Sequence, residues 1–464
     1  MISIQIQSCH TILPSEPTPN EKLYSLCEQI KLRTHAPLLY VYKPHNHKNP
    51  STFIQTLINS LSQALVIYYP LAGRLSWIEG SRWELHCNAK GAQFLQAKCE
   101  EQVSLDDLGD FAPTHLVSPL IPNIDYDVPI EEIPLLAVQL TKFCCGGFTL
   151  GVAFCRAVID GPASMRFMNT WAKLARGKGL DPMIDMPCHD RNRLDSRKLN
   201  HSELKSHAGQ HREFHTPPAW VGGFRETRAV VALVKLTREQ VVKLKMKASS
   251  SNAASTKQKA YSSFEVVAGY LWKCVSKARY AGNGEQPTRL STLVNCRNRL
   301  RPPLPDGYAG NTAFPTVTPT SSFHDIIHMP LSYVVENVRE ALEMVNEEFV
   351  GSSLDYIARE KDIESMRYNF HYPAPSVHKG PSKGNPNLFV VSWMNFSFKD
   401  ADFGWGEPIY FGPGYLDSEG KAFLLNDADR NGLVVAISLD MSHVDAFRKL
   451  FYDGIEDVFP SSKL

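Results

Sequence analysis

The 464-residue sequence predicts an α+β fold built in two halves. Three observations lead there. Residues 136–155 alternate with period two, the mark of half-buried strands, whereas Phe53, Leu57, Leu61 and Leu65 recur every four residues, as on one helix face. Strand-like and helix-like segments alternate in both halves of the chain. Between the halves, from about Leu180 to Pro218, periodicity gives way to a polar stretch rich in His and Pro. That is too long for a loop inside one compact unit, so it reads as a crossover. The expected division is an N-terminal domain over 1–180, a linker over 181–218 and a C-terminal domain over 219–464.

The elements follow in order. Ser51 to Val66 forms an amphipathic helix after Pro50, ended by Pro70 and Gly73. Arg82–His86 and Ala92–Ala97 read as a strand pair. Leu136, Val138 and Leu140, then Phe148, Leu150, Val152 and Phe154, make the two arms of a hairpin turning at Cys144 to Gly147. Asp160-Gly161-Pro162 opens a helix whose Met165, Met168, Trp171 and Leu174 share a face. Beyond the crossover, strands are expected at Ala229–Leu236, Leu290–Val294, Leu388–Phe398 and Leu433–Leu439. Helices are expected at Arg238–Lys247, Ser262–Tyr280, Pro330–Phe349 and His443–Tyr452.

Composition narrows the function. The chain is 43% apolar, enough for sizeable cores, and its net charge is +1. Near-neutrality without a long run of either sign argues against a nucleic-acid or anionic-membrane surface. No apolar run is long enough to span a bilayer, and the N-terminus lacks the basic and apolar regions of a signal peptide. The ten cysteines show neither CxxC nor finger spacing, so metal sites and disulfide scaffolds are not expected. A cytoplasmic monomer with reduced thiols is the expectation.

Several motifs have ordinary explanations. Gly380-Pro381-Ser382-Lys383-Gly384 matches G-x-S-x-G, but a nucleophile elbow needs a strand before the serine and a helix after it, and neither pattern is there. Gly146, Gly147 and Gly151 give no dinucleotide fingerprint. His45 and His47, and the pair His207 and His211, sit in polar stretches and read as solvated.

Four blocks carry the functional signal: Tyr69-Pro70-Leu71-Ala72-Gly73-Arg74, Arg156 to Gly161, Asn295 to Asn311, and Asp402-Phe403-Gly404-Trp405-Gly406. In this order they resemble the signature blocks of the plant BAHD acyltransferases, over essentially the whole chain. The surrounding residues are most similar to the hydroxycinnamoyl-CoA branch, particularly its spermidine N-acyltransferases. The resemblance implies two chloramphenicol-acetyltransferase-like domains with a channel between them. It also implies a coenzyme A thioester as co-substrate, with no bound cofactor, and a small-molecule amine or alcohol as acceptor. In the family, the His of H-x-x-x-D-G removes the acceptor's proton, its Asp pairs with the middle-block Arg, and D-F-G-W-G braces the fold. These roles fall on Asp160, Arg297, Asp402 and Trp405 as structural residues. Thr34, Tyr40, Trp393 and Asn395 fall at the acceptor end.

This sequence departs from the pattern at its centre. The family's base position is Arg156. A guanidinium has five donors, no acceptor and a pKa above about 12, so it is no general base. Losing such a base typically costs about 10²–10⁴ in rate. Three readings follow: a decayed, non-catalytic binding paralogue; an acyltransferase whose amine acceptor needs little help; or other chemistry, such as elimination, with Arg156 binding a carboxylate or oxyanion. Two further departures are Asn395, where an Arg would face an acidic acceptor such as shikimate, and Asn295, where an Asp is usual. Cys155, beside Arg156 but on the opposite side of the strand, reads as a buried thiol.

Overall fold

The computed structural model describes residues 2–44, 50–100, 102–194, 211–221, 228–249, 260–371, 385–416, 418–427 and 431–456. The motif at 380–384, His45, His47 and His207 lie outside them. Two six-stranded mixed sheets organise the chain. The first runs, in spatial order, Ile4–Ile12, Ala92–Cys99, Leu136–Lys142, Phe148–Cys155, His35–Tyr42 and Tyr410–Pro413. The second runs Ala313–Val317, Leu290–Asn295, Leu388–Ser392, Lys421–Asn426, Gly432–Asp440 and Ala229–Thr237. The α+β expectation holds, and so does the 136–155 hairpin, whose Val138 faces Val152 in an antiparallel pair.

Each sheet buries one face under helices because the apolar stripes face inward. Leu57, Leu61 and Leu65 of helix Pro50–Ile67 are fully buried in the first core with Met168 and Trp171 of helix Gly161–Ala175. In the second, Val267, Leu271 and Val275 of helix Ser263–Arg279 pack with Val334 and Val338. That helix starts with the reciprocal cap its sequence encodes: Ser262 Oγ accepts from the Glu265 amide while Glu265 accepts from the Ser262 amide.

Three local expectations are corrected. Arg82–His86 and Ala92–Cys99 are both strands but do not pair. The first joins Arg74–Ile78 and Lys22–Leu23 in a small sheet, and the second lies between Ile4–Ile12 and Leu136–Lys142. Gly91, at φ +89°, sits between them and redirects the chain. The helix expected over Pro330–Phe349 is two, Leu331–Met344 and Glu347–Arg359, because Asn346 is extended and caps the second through the Phe349 amide. The strand expected over Leu388–Phe398 stops at Ser392, and a turn at Trp393–Phe396 follows.

After that turn the chain leaves the second sheet. Phe398, Phe403, Trp405 and Phe411 enter the first core, and Tyr410–Pro413 pairs antiparallel with Leu38–Val41. In the other direction, Cys27 and Ile30 pack among Val294, Leu300, Val350 and Ile357. Each half therefore supplies residues to the other's core. Among the described residues no helix is long and apolar enough to cross a membrane.

Candidate active site

The strand Phe148–Cys155, wholly buried, delivers Arg156 to the seam between the halves. Asp160 then caps helix Gly161–Ala175, its Oδ1 accepting from the Ala163 amide at 3.1 Å. Gly161 is closely packed: a Cβ there would lie 2.4 Å from the ring tip of Phe396, in the turn that carries Trp393 and Asn395, and that ring would have to shift.

Asp160 is the hub. Arg297 reaches it with both terminal nitrogens, Nη1 to Oδ2 at 2.7 Å and Nη2 to Oδ1 at 2.9 Å. Thr312 adds its amide at 2.8 Å and its hydroxyl at 2.9 Å to Oδ2. Burial alone would raise this carboxyl, but Arg297 and the donated hydrogen bonds hold it below the ordinary carboxylate range. The pairing expected from the resemblance is present. Arg297 also donates to the Tyr308 and Gly310 carbonyls, at 2.9 and 3.0 Å, and to Asn295 Oδ1 at 3.2 Å. Asn295 supplies an acceptor without a second negative charge.

A second buried pair extends the seam. Arg191, in the crossover, lies 2.9 Å from Glu28 Oε1 and donates to the Val158 carbonyl at 3.1 Å. Burial pushes Glu28 up to about 7 even beside Arg191. Glu28 also accepts from the Asn311 amide at 3.3 Å, and Asn311 Nδ2 donates to the Arg156 carbonyl at 2.9 Å. Sequence reasoning gave no role to Glu28, Arg191 or Asn311, although Asn311 ends the middle block and Arg191 ends the stretch Asp185–Arg191, whose wording resembles the hydroxycinnamoyl-CoA branch. A cavity of about 910 Å³ opens beside Arg191, between Glu21 to Leu26, Tyr69 and Asp355. Arg156 does not line it.

Arg156 itself is partly buried. Its amide donates to the Thr34 carbonyl at 3.0 Å, which brings Thr34 beside it. Its guanidinium makes no hydrogen bond or ion pair among the described residues. The neighbouring histidine is spent. His35 Nδ1 meets Tyr126 Oη at 2.8 Å and Nε2 donates to the Pro134 carbonyl at 2.8 Å. Burial first, and the Arg156 charge in addition, lower His35 to about 4, so it is neutral at pH 7. Cys155 is a buried thiol, as expected, raised to about 12 by burial.

The other anticipated acceptor residues are more dispersed. Tyr40 is fully buried, its hydroxyl 3.6 Å from Met165 Sδ and its ring against Phe411, so it packs the core and exposes no surface to a ligand. Alternation along the strand puts it on the face that Leu38 and Tyr42 share in the first core, opposite Leu39 and Val41. Trp393 stacks on Phe411 at 5.3 Å, and Asn395 is exposed at the tip of the turn. Trp405 is buried between Phe403, Phe53 and Phe148. Asp402 Oδ1 accepts the amides of Gly404 and Gly406, at 2.8 and 2.9 Å. Both glycines have φ above +100°, a conformation that excludes side chains. The block is a brace. Tyr69-Pro70-Leu71-Ala72-Gly73-Arg74 is structural too: a Cβ on Gly73 would lie 2.5 Å from the His86 carbonyl, and Arg74 donates to the Gly91 carbonyl at 2.8 Å. No cluster of metal-ligating residues occurs among the described residues.

A model of the transferase family, the BAHD acyltransferases, matches residues 2–453. The chain belongs to this family. It is similar, at 39% identity over 465 residues, to hydroxycinnamoyl-CoA:piscidic acid hydroxycinnamoyltransferase of Actaea racemosa, covering 97% of this chain and 99% of that protein. It is 36% identical over 468 residues to anthranilate N-benzoyltransferase protein 2 of Dianthus caryophyllus, covering 97% and 100%. The structure of F. graminearum TRI101 complexed with coenzyme A and T-2 mycotoxin superposes with a TM-score of 0.75 at 14% identity, over 93% of this chain and 97% of that one. That likeness concerns the fold. The BAHD chain is accordingly an acyltransferase with the two-sheet, chloramphenicol-acetyltransferase-like architecture.

Proposed function

We propose that this chain transfers an acyl group from a coenzyme A thioester to a small amine or alcohol of plant specialised metabolism, with Arg156 standing where the family carries its base. The observation that carries the reading is the seam: the Asp160–Arg297 pair and the Asn311–Arg156 contact hold the signature segment of one half against the middle block of the other. The names of the relatives, a hydroxycinnamoyl-CoA transferase and an N-benzoyltransferase, support both the thioester donor and the two acceptor classes. With net charge +1, attraction for an anionic thioester comes from local Lys and Arg rather than from the whole surface. Ten free cysteines support a reducing, cytoplasmic setting.

With an arginine at 156 and His35 tied to Tyr126 and Pro134, neither residue takes the acceptor's proton. Acceptors that are nucleophilic without deprotonation are therefore favoured over alcohols. Release of free coenzyme A thiol from p-coumaroyl-CoA is the test, run against a panel of amine and hydroxyl acceptors. Thiol release is expected with amines, and Arg156→His is expected to raise the rate with hydroxyl acceptors by about 10²–10⁴. Absence of thiol release with every acceptor, in both proteins, would end the reading.

A further inference from the structure

Arg156 lies in a short turn between strand Phe148–Cys155 and helix Gly161–Ala175, so neither a sheet ladder nor a helix satisfies the carbonyls around it. Two of them take donors from far along the chain. Asn311 Nδ2 donates to the Arg156 carbonyl at 2.9 Å, and Arg191 Nη2 donates to the Val158 carbonyl at 3.1 Å. Glu28 is the partner these donors share: its Oε1 accepts the Asn311 amide at 3.3 Å and lies 2.9 Å from Arg191 Nε. The four contacts close a ring through the segment before strand His35–Tyr42, the crossover and the middle block. Glu28 and Arg191 are buried, and Cys27 and Ile30 on either side of Glu28 are anchored in the core with Val294 and Cys296. The Tyr308 ring adjoins both arginines, 5.9 Å from Arg191 and 5.8 Å from Arg297, so this ring of contacts borders the Asp160–Arg297 pair. A buried ion pair is a weak source of stability, because apolar residues of similar volume often serve as well. What apolar residues do not supply is a directed donor for the Val158 carbonyl.

We propose that Glu28 and Arg191 are positioning residues for acyl transfer: together they clasp the turn that carries Arg156 and set where that residue stands relative to the reacting groups. This rests on the acyl-transfer reading and deepens it. The pair acts through the main chain rather than on substrate. Arg191 spans from the Glu28 carboxylate to the Val158 carbonyl, a reach that a planar fork of donors provides and a single ammonium does not. Glu28 in turn fixes Arg191 and the backbone of Asn311, so both outside hydrogen bonds on the turn depend on one carboxylate. Misplacing a reacting group by about 1 Å costs up to about 10²-fold in rate. Releasing the turn at Val158 is therefore expected to lower turnover without altering the fold.

The double variant Glu28→Gln, Arg191→Met tests the clasp in the full chain. It removes both charges together, strands neither, and is expected to keep a urea midpoint close to that of wild type. Hydrogen exchange read by mass spectrometry should become at least tenfold faster at residues 156–160 and stay unchanged at 148–153. Thiol release from p-coumaroyl-CoA should show kcat reduced at least tenfold, with the KM for the thioester unchanged. Arg191→Lys keeps a charge opposite Glu28 but loses the fork, and should show the same pattern to a smaller degree; it decides the matter if the double variant does not fold. Unchanged exchange at 156–160, exchange accelerated equally along the chain, faster exchange with unchanged kcat, or a change in KM alone would overturn the proposal. Absence of thiol release from wild type with every acceptor would remove the acyl-transfer reading. Exchange would then still separate a clasp on the turn, seen as a localised increase, from none.

Discussion

Arg297 and Asp160 form a two-pronged ion pair, 2.7 and 2.9 Å long, buried on both sides and 137 residues apart in sequence. It joins the first turn of helix Gly161–Ala175 to the segment after strand Leu290–Asn295, and so connects the two sheets at the point where Arg156 emerges. Breaking such a pair by removing one partner strands the other charge in a dry setting.

Asp160→Asn is therefore expected to destabilise the protein by about 3–5 kcal/mol. The cost is read as the shift in urea midpoint at constant slope. Since the Asp160 carboxyl is held below its ordinary 3.8, the wild-type contribution is present above that pH and is lost as pH falls further. A midpoint unchanged by Asp160→Asn would show that the seam is held by packing alone.

His35 sets a second pH dependence. Its ordinary value of 6.5 applies to the unfolded chain, and burial lowers it to about 4 in the fold. Between those values the unfolded chain binds the extra proton, so stability falls as pH drops from about 6.5 towards 4. At 1.36 kcal/mol per pH unit, the loss from this residue is roughly 3 kcal/mol. Urea midpoints at pH 7, 5.5 and 4.5 should decline in wild type and decline less steeply in His35→Gln. Equal slopes in the two proteins would assign the acid sensitivity to other groups.

Gly161 and Phe396 should be coupled. Gly161→Ala places a methyl group 2.4 Å from the Phe396 ring, so that ring must shift. Overpacking of this kind costs about 1–3 kcal/mol. Phe396→Ala in the same chain removes the obstacle and should restore most of the lost thermal stability to the level of Phe396→Ala alone. Additive losses in the double variant would mean that the two residues do not touch.

Much of the fold was legible because its periodicities are local. The fourfold spacing at Phe53 to Leu65 states which helix face is buried, and the structure buries it; the alternation at 136–155 locates two strands, but both of their faces are buried rather than one. What failed was pairing and termination. Arg82–His86 was visible as a strand, but its neighbour depends on how Gly91 turns the chain, which no alternation records. The break at Asn346 was hidden because apolar residues continue across it in helical spacing. At the site, Asp160, Arg297 and Trp405 were found through their motifs, and Tyr40 was misplaced because a strand residue's exposure depends on what covers the sheet. Glu28 and Arg191 were given no role, because a pairing between residues so far apart in the chain leaves no local pattern.

The sequence by itself determined the class of fold, the family blocks and the one residue, Arg156, whose chemistry forbids proton abstraction, because these depend on residue type and spacing alone. Tertiary structure decided which charges are spent. Whether Asp160 or Glu28 neutralises Arg156, or His35 accepts a hydrogen bond from it, is a matter of distance across segments far apart in the chain, and each of the three is engaged by another partner. Only that three-dimensional accounting shows the guanidinium of Arg156 unpaired among the described residues.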